Sequence, residues 1–519
     1  MDLRKQSPST AGIVAVGLLA SRILGLVRDA LTARYFAPEI RDAFVIAFRL
    51  PNFFRRALGE GAFSSALVPT LAHARSKEER AKLSASVFAI FMAGASALTL
   101  LGCIFMEPAL RLLLSGDAFM GVPGKFELTV VISRIMFGFL ALAAGYAYFT
   151  ATLHSAGRFA AAAVAPVLLN STMIAVAFIA QKDSVSMARS LAWSVLVGGC
   201  LQLAVVALAA WRAGEWPYAK WITLSRAAAR VTAEFLPIAF GSSLLQLTAL
   251  VNLWFASRLP QGSHSHLYLA DRILELPLSL IVSAVGSTAL PGLAVLLAKD
   301  QHHQFATDFR SSMSLAFFLA LPNAIGMVAL AAPIAAVLFV GERFSAQEGA
   351  QTAVLIQING LALIAAVGGR MLCQAYYAAR RPWIPAIACV IGLSTHAGLC
   401  ELLINKQGLT ALALAAVGGQ TVQCAALALA SRWRMPMPLS WLPRARELRR
   451  FAVCGLGAWL GAQSHGPLLS LVIAVAMPQW IALAGAIIIS GASYLVVSFA
   501  LGLSCLSPLV ARFRRAGGV

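Results

Sequence analysis

Apolar runs of about 20 residues recur along this chain from end to end, each long enough to cross the hydrocarbon core of a bilayer as a helix. Inside lipid every backbone polar group needs an internal partner, which restricts spanning segments to helices and closed barrels. Continuous runs of this length read as helices, so the expected fold class is an all-α polytopic membrane protein. Fifty-nine per cent apolar and 12% charged residues lie outside the range of ordinary soluble domains. The spans fall at roughly 10–36, 42–72, 84–115, 127–152, 159–180, 187–211, 230–257, 267–298, 311–340, 351–379, 383–404, 409–431, 450–473 and 479–506, about fourteen transmembrane helices. The thirteenth is interrupted by Gln463, Ser464, His465, Gly466 and Pro467.

The first two spans, joined by a short outside turn, carry a load of charge unusual for lipid. Between Ser21 and Pro69 stand Arg22, Arg28, Asp29, Arg34, Arg41, Asp42, Arg49, Arg55, Arg56 and Glu60. An arginine at a helix centre costs about 2.5–3.5 kcal/mol on insertion scales, so several facing lipid would cost on the order of 10 kcal/mol. They are expected to face a wet interior cavity, and a cavity lined by arginines is built to hold an anion. Arg22 and Arg28 lie about 120° apart on an ideal helix, and Gly25 between them permits a bend. Arg55 and Arg56 are neighbours and cannot share a face, so one is expected to line the cavity with Arg49. The bland alternative is charge neutralisation by Asp29, Asp42 or Glu60, but the stretch holds more arginines than acids. Arginine suits anion capture because its planar fork gives bidentate contact to phosphate oxygens.

The eighth span repeats the theme with Asp271, Arg272 and Glu275, whose spacing lets all three meet on one helical side. A structural ion pair is one reading. The sharper one is that a carboxylate holds Arg272 ready for an anion, with Ser265, just outside the span, as a hydrogen-bond donor. Arg134 and Arg370 are further intramembrane cavity candidates, and His396 reads as a hydrogen-bonded core residue.

The net charge of +20 forms no patch on a soluble domain, which excludes a nucleic-acid partner. Even-numbered connections and both termini hold most of the remaining Lys and Arg, including Arg4, Lys5, Arg80, Arg158, Arg212, Lys299, Arg380 and Arg512. The positive-inside rule then places both ends in the cytoplasm, with Lys125 among the few basic residues on the other side. The N-terminus reads as an uncleaved first span, because Arg22 and Arg28 interrupt its apolar run. The eight cysteines show no metal-ligand spacing and read as small packing residues. No metal or cofactor is expected.

Phe48-Arg49-Leu50-Pro51 followed by Ser64–Pro69 resembles Leu274-Glu275-Leu276-Pro277 followed by Ser287–Pro291. Each copy is preceded by a charged pair, Arg41-Asp42 or Asp271-Arg272. Two related halves are a common transporter plan, with the substrate at their interface. The expected organisation is an N-lobe of six helices over 1–222, a C-lobe of six over 223–434, both around a central cationic cavity, and two additional C-terminal helices over 435–519.

At SRILGLVRDALTARYF, DAFVIAFRLPNFFRRALGEGAFSSALVPTLA and YLADRILELPLSLIVSAVGSTALP the chain resembles the MurJ (MviN) family of bacterial lipid II flippases. These belong to the multidrug/oligosaccharidyl-lipid/polysaccharide exporter superfamily. The resemblance implies fourteen helices, two lobes of six, and a groove made with the last two helices for the polyprenyl tail. The family's essential arginines match Arg22, Arg28, Arg55 and Arg272. Its cavity aspartate matches Asp42, Asp29 and Glu60 fall on motif positions, and Ser21 and Ser265 match polar positions. The sodium site of some members uses acids in the seventh and eleventh spans, where this chain has Asn252 and His396.

The resemblance implies a lipid II flippase of the bacterial inner membrane, acting in peptidoglycan and cell-wall biogenesis and so in cell shape. Its partners would be lipid II, membrane lipids and cell-wall synthases. A flippase for another polyprenyl-diphosphate-linked oligosaccharide is the alternative. An intramembrane enzyme would need clustered carboxylates or a nucleophile with its base, and the membrane acids here are separated and each sits beside an arginine. A drug/cation antiporter wants acidic walls, whereas these are basic.

Overall fold

The computed structural model describes residues 8–59, 76–179, 184–218, 247–435, 443–475 and 477–502, with isolated positions between 63 and 71 and between 220 and 235. Glu60 and most of Ser64–Pro69 lie outside the described residues, as does most of the first half of the seventh expected span. The described residues are helical almost throughout, which bears out the all-α class, and helices fall on the expected spans. Nine described segments are long and apolar enough to cross a membrane by length and composition.

Two compact units emerge, one of residues 1–265 with 341–344, the other of 266–340 with 345–519. The first holds α1 (Pro8–Tyr35), α2 (Pro38–Gly59), α3 (Lys77–Ile104), α4 (Met106–Leu113), α5 (Lys125–Phe137), α6 (Phe139–Ser155), α7 (Ala160–Ile179), α8 (Ser184–Arg212) and α9 (Leu247–Ala256). Helix α10 (Ser263–Ala298) begins in the first unit and runs on in the second. The second continues with α11 (His302–Ala329), α12 (Ala331–Leu338), α13 (Ala346–Ala378), α14 (Trp383–Gln407), α15 (Leu409–Arg434), α16 (Ala445–Ala462), α17 (His465–Ala474) and α18 (Trp480–Ala500).

Local chemistry sets the helix ends. Ser76 caps α3 by accepting from the Glu79 N–H at 3.1 Å, and Ser345 with Glu348 forms a reciprocal capping box at the start of α13. The thirteenth expected span breaks where its polar residues predicted, between Ala462 and His465. Pro166 within α7 removes one helical N–H, and the Ala162 carbonyl it leaves unbonded accepts the Tyr146 hydroxyl at 2.8 Å.

Apolar side chains alone do not drive helices together in lipid, so small residues and polar links set the packing. A Cβ on Gly392 of α14 would lie 2.9 Å from the Gly419 carbonyl oxygen of α15, and one on Gly419 would lie 2.7 Å from that of Gly392. Any side chain at either position would force the two helices apart. In the same unit the Tyr376 hydroxyl donates to the Leu427 carbonyl at 2.7 Å, and that of Tyr494 to Phe318 at 2.9 Å. The described cysteines are free thiols, five of them buried, as packing residues should be.

Candidate functional site

In the first unit Arg28 is held on every side and is only 3% exposed. Its Nε and Nη2 donate to Asp29 Oδ1 at 3.0 and 2.7 Å. Its Nη1 donates to Asn170 Oδ1 at 3.1 Å, and its Cζ lies 4.4 Å from the centre of the Phe48 ring. Asn170, on α7, also donates through Nδ2 to the Ser21 carbonyl at 2.9 Å, and lies 3.5 Å from the Ser21 hydroxyl. Ser21, Arg28 and Asp29 are thus brought together, Arg28 in the charge-neutralising pair with Asp29 that was weighed as the alternative, around a hub that sequence reasoning missed. Its signal was the short polar stretch Asn170-Ser171-Thr172 inside an apolar run.

Four other arginines of this unit are more open. Arg22, Arg49 and Arg55 are half-buried. Arg55 Nε donates to Asn52 Oδ1 at 3.1 Å, one turn earlier on α2. Arg134 is exposed, donates to the Cys103 carbonyl at 3.2 Å, and lies 3.7 Å from Glu107.

A second cluster in the same unit centres on Asp42, 1% exposed. Its Oδ2 accepts from Lys125 Nζ at 3.0 Å and from the Gly262 N–H at 2.8 Å. Its Oδ1 accepts from the Ser265 N–H and hydroxyl, both at 2.9 Å. Arg41 Nε donates to Ser265 Oγ at 3.1 Å, and its Nη1 reaches the carbonyls of Ala33 and Arg343, both at 3.3 Å. Its guanidinium lies 4.5 Å over the Phe344 ring, while Lys125 Nζ sits 4.3 Å over that of Phe119. Asp42 and Ser265, expected beside an open cavity, are therefore buried together. A carboxylate that accepts four hydrogen bonds tolerates burial that a lone one would not. Lys125, expected among outer loop charges, is buried for the same reason.

In the second unit Arg272 Nη1 pairs with Glu275 Oε2 at 3.0 Å, and its Nε donates to the Tyr268 hydroxyl at 3.1 Å. Its side chain remains 26% exposed. Asp271 accepts from Asn359 Nδ2 at 3.4 Å. Asn359 was not expected, because its contact depends on where α10 and α13 meet. Tyr268 was missed although its spacing of four from Arg272 on one helix could have found it. Arg370 is exposed. His396 is buried, with its Nε2 3.6 Å from Cys400 Sγ, in line with a core role. An apolar cleft of about 440 Å³ opens between α11, α13 and α16, walled by Leu321, Ile325, Val328, Leu361, Leu456 and Trp459. Among the described residues no three His, Cys, Asp or Glu side chains group as a metal site.

Long apolar helices that carry arginines tethered to carboxylates and amides define a multi-pass membrane protein of the transporter type. The sequence profile described as "Lipid II flippase MurJ" matches residues 33–502. The "Probable lipid II flippase MurJ" of Bdellovibrio bacteriovorus is 33% identical over 98% of this chain and 97% of its own length. The chain belongs to the MurJ family. A solved structure titled "Lipid II flippase MurJ, inward closed conformation" shares its fold, with a TM-score of 0.75 and 21% identity over 96% of this chain and 99% of that one. An inward-facing MATE-family multidrug transporter of the MOP superfamily aligns with a TM-score of 0.68 and 16% identity, over 81% of this chain and 98% of its own.

Proposed function

We propose that this chain moves lipid II, a polyprenyl-diphosphate-linked peptidoglycan precursor, from the inner to the outer leaflet of the bacterial cytoplasmic membrane by alternating access. In this reading Arg22, Arg28, Arg55 and Arg272 bind the diphosphate. Ser21, Asp29, Asp42, Arg49, Glu60, Ser265, Asp271 and Glu275 support them, and Arg134 and Arg370 are outlying candidates. The observation that carries the reading is the state of Arg272. It is oriented by Glu275 and Tyr268, and 26% of its side chain is exposed. A guanidinium held by its neighbours and still partly exposed presents a planar fork suited to phosphate oxygens.

The apolar cleft of α11, α13 and α16 suits the isoprenoid tail, since its walls are aliphatic and aromatic. The Asp42 cluster gathers residues from odd-numbered connections, which the loop charges assign to the outer side. Cell-wall synthases that consume the flipped precursor are the expected partners, and both termini lie in the cytoplasm.

The test is acute depletion of this protein, followed by measurement of lipid II accessible at the outer leaflet. Accessibility should collapse within one doubling and return with the wild-type chain but not with Arg272→Ala. Undiminished accessibility after depletion would remove the proposal. If a different lipid-linked saccharide is lost from the outer leaflet instead, the alternative substrate takes its place.

A further inference from the structure

We infer that Asn170 is a positioning residue for Arg28, with a neutral carboxamide that fixes the guanidinium yet leaves it able to transfer to a diphosphate. The inference rests on the functional reading above and concerns a residue outside the matched motifs.

Asn170 is 8% exposed and uses both ends of its amide on α1. Oδ1 takes Arg28 Nη1 at 3.1 Å, and Nδ2 donates to the Ser21 carbonyl at 2.9 Å, so one side chain ties two points seven residues apart on the same helix. Gly25 lies between them. A Cβ there would already touch Asn170 Nδ2 and Oδ1 at 3.8 and 3.9 Å, so larger side chains would displace the amide. The other polar demands of α7 are met elsewhere. Tyr146 takes the carbonyl left open by Pro166, and Thr172 returns its hydroxyl to the Leu168 carbonyl of its own helix. Asn170 Nδ2 also lies 3.5 Å from the Pro166 carbonyl of its own helix, but its shorter bonds go to α1.

The neutrality of the amide matters as much as its place. Asp29 already balances the charge of Arg28. A second carboxylate would add net negative charge beside an anion site and would hold the guanidinium more firmly. A carboxylate would add direct attraction between two full charges to the hydrogen bond that the amide already makes with the guanidinium. A carboxamide sets the direction of Nη1 without competing with a phosphate for the cation.

The experiment uses the full-length protein purified in detergent, as wild type, Asn170→Asp and Asn170→Ala, with lipid II binding and melting temperature measured side by side. Asn170→Asp is isosteric and gains an ion pair with Arg28 but loses the Nδ2 donor to the Ser21 carbonyl, so it should melt below wild type and above Asn170→Ala, which loses both contacts. Its binding of lipid II should nevertheless fall by about ten-fold or more. Asn170→Ala should melt lower, because it removes the Asn170 oxygen from Nη1 and the amide donor from the Ser21 carbonyl, and should bind less weakly than Asn170→Asp. Stability and binding would thus rank the two variants in opposite orders, which a purely structural residue cannot produce. Wild-type binding by Asn170→Asp, or matching orders of stability and affinity, would overturn the inference alone. Failure of the wild type to bind lipid II, or binding unaffected by Arg272→Ala, would remove the functional reading and this inference with it.

Discussion

Asp42 on α2 accepts the backbone N–H groups of Gly262 and Ser265, so a carboxylate from one helix caps the first turn of another, α10. Capping is normally local, with the side chain at the helix start serving N–H groups two or three residues on. Here the cap comes from 223 positions away. The negative charge also meets the positive end of the α10 dipole, and Lys125 balances what remains.

This arrangement predicts unequal costs for its two ionic partners. Asp42→Ala strips Lys125, Gly262 and Ser265 of their acceptor and leaves a buried ammonium uncompensated. It should destabilise the protein by about 3–5 kcal/mol, read as a large drop in melting temperature. Lys125→Met leaves Asp42 with three donors and should cost clearly less. An equal loss in the two variants would show that the ion pair, and not the helix cap, dominates the cluster.

At Arg272 the shape of the cation should count beyond its charge. Arg272→Lys retains the positive charge but cannot serve Tyr268, Glu275 and a phosphate in the same plane. Lipid II binding by the purified protein should weaken about ten-fold, or about 1.4 kcal/mol, and further in Arg272→Ala. Tyr268→Phe removes one of the two orienting contacts and should lie between wild type and Arg272→Lys.

The cleft in the second unit gives a test that separates tail from head group. A Cβ on Gly455 would lie 2.9 Å from Ile325 Cδ1, the flexible end of a side chain, so a larger residue can be accommodated by local shifts. Gly455→Leu should fold and fill the cleft. It should weaken binding of a long-chain polyprenyl substrate several-fold while leaving a short-chain analogue unaffected. Equal effects on both would place the tail elsewhere.

Orientation is open to labelling. Glu342 and Arg158 are both exposed and lie in connections of opposite parity. With the native cysteines replaced, Glu342→Cys should react with a membrane-impermeant maleimide in intact cells whose outer membrane is permeabilised. Arg158→Cys should react only after lysis, and the reverse pattern would invert the assigned topology.

The membrane potential supplies the last prediction. Moving a negative head group out of a negative-inside cell, or returning a positive empty site inward, gains about 2.3 kcal/mol per charge per 100 mV. An ionophore that dissipates the potential should therefore slow the appearance of lipid II at the outer leaflet. Flipping at an undiminished rate would eliminate both routes of coupling.

The apolar runs by themselves determined the helical membrane class, because a span must satisfy its own backbone and needs about 20 apolar residues to do so. The Arg272–Glu275 pair was legible too, since a spacing of three on one helix fixes proximity without knowledge of the fold. The charges that interrupt α1 and α2 marked where polar contacts had to form, but not with whom. Only tertiary structure decided that Arg28 rests on Asn170, 142 positions away, and that Asp42 serves α10 and Lys125. Such partners are chosen by how helices cross. The energy of each link depends on burial and direction, which residue order does not contain.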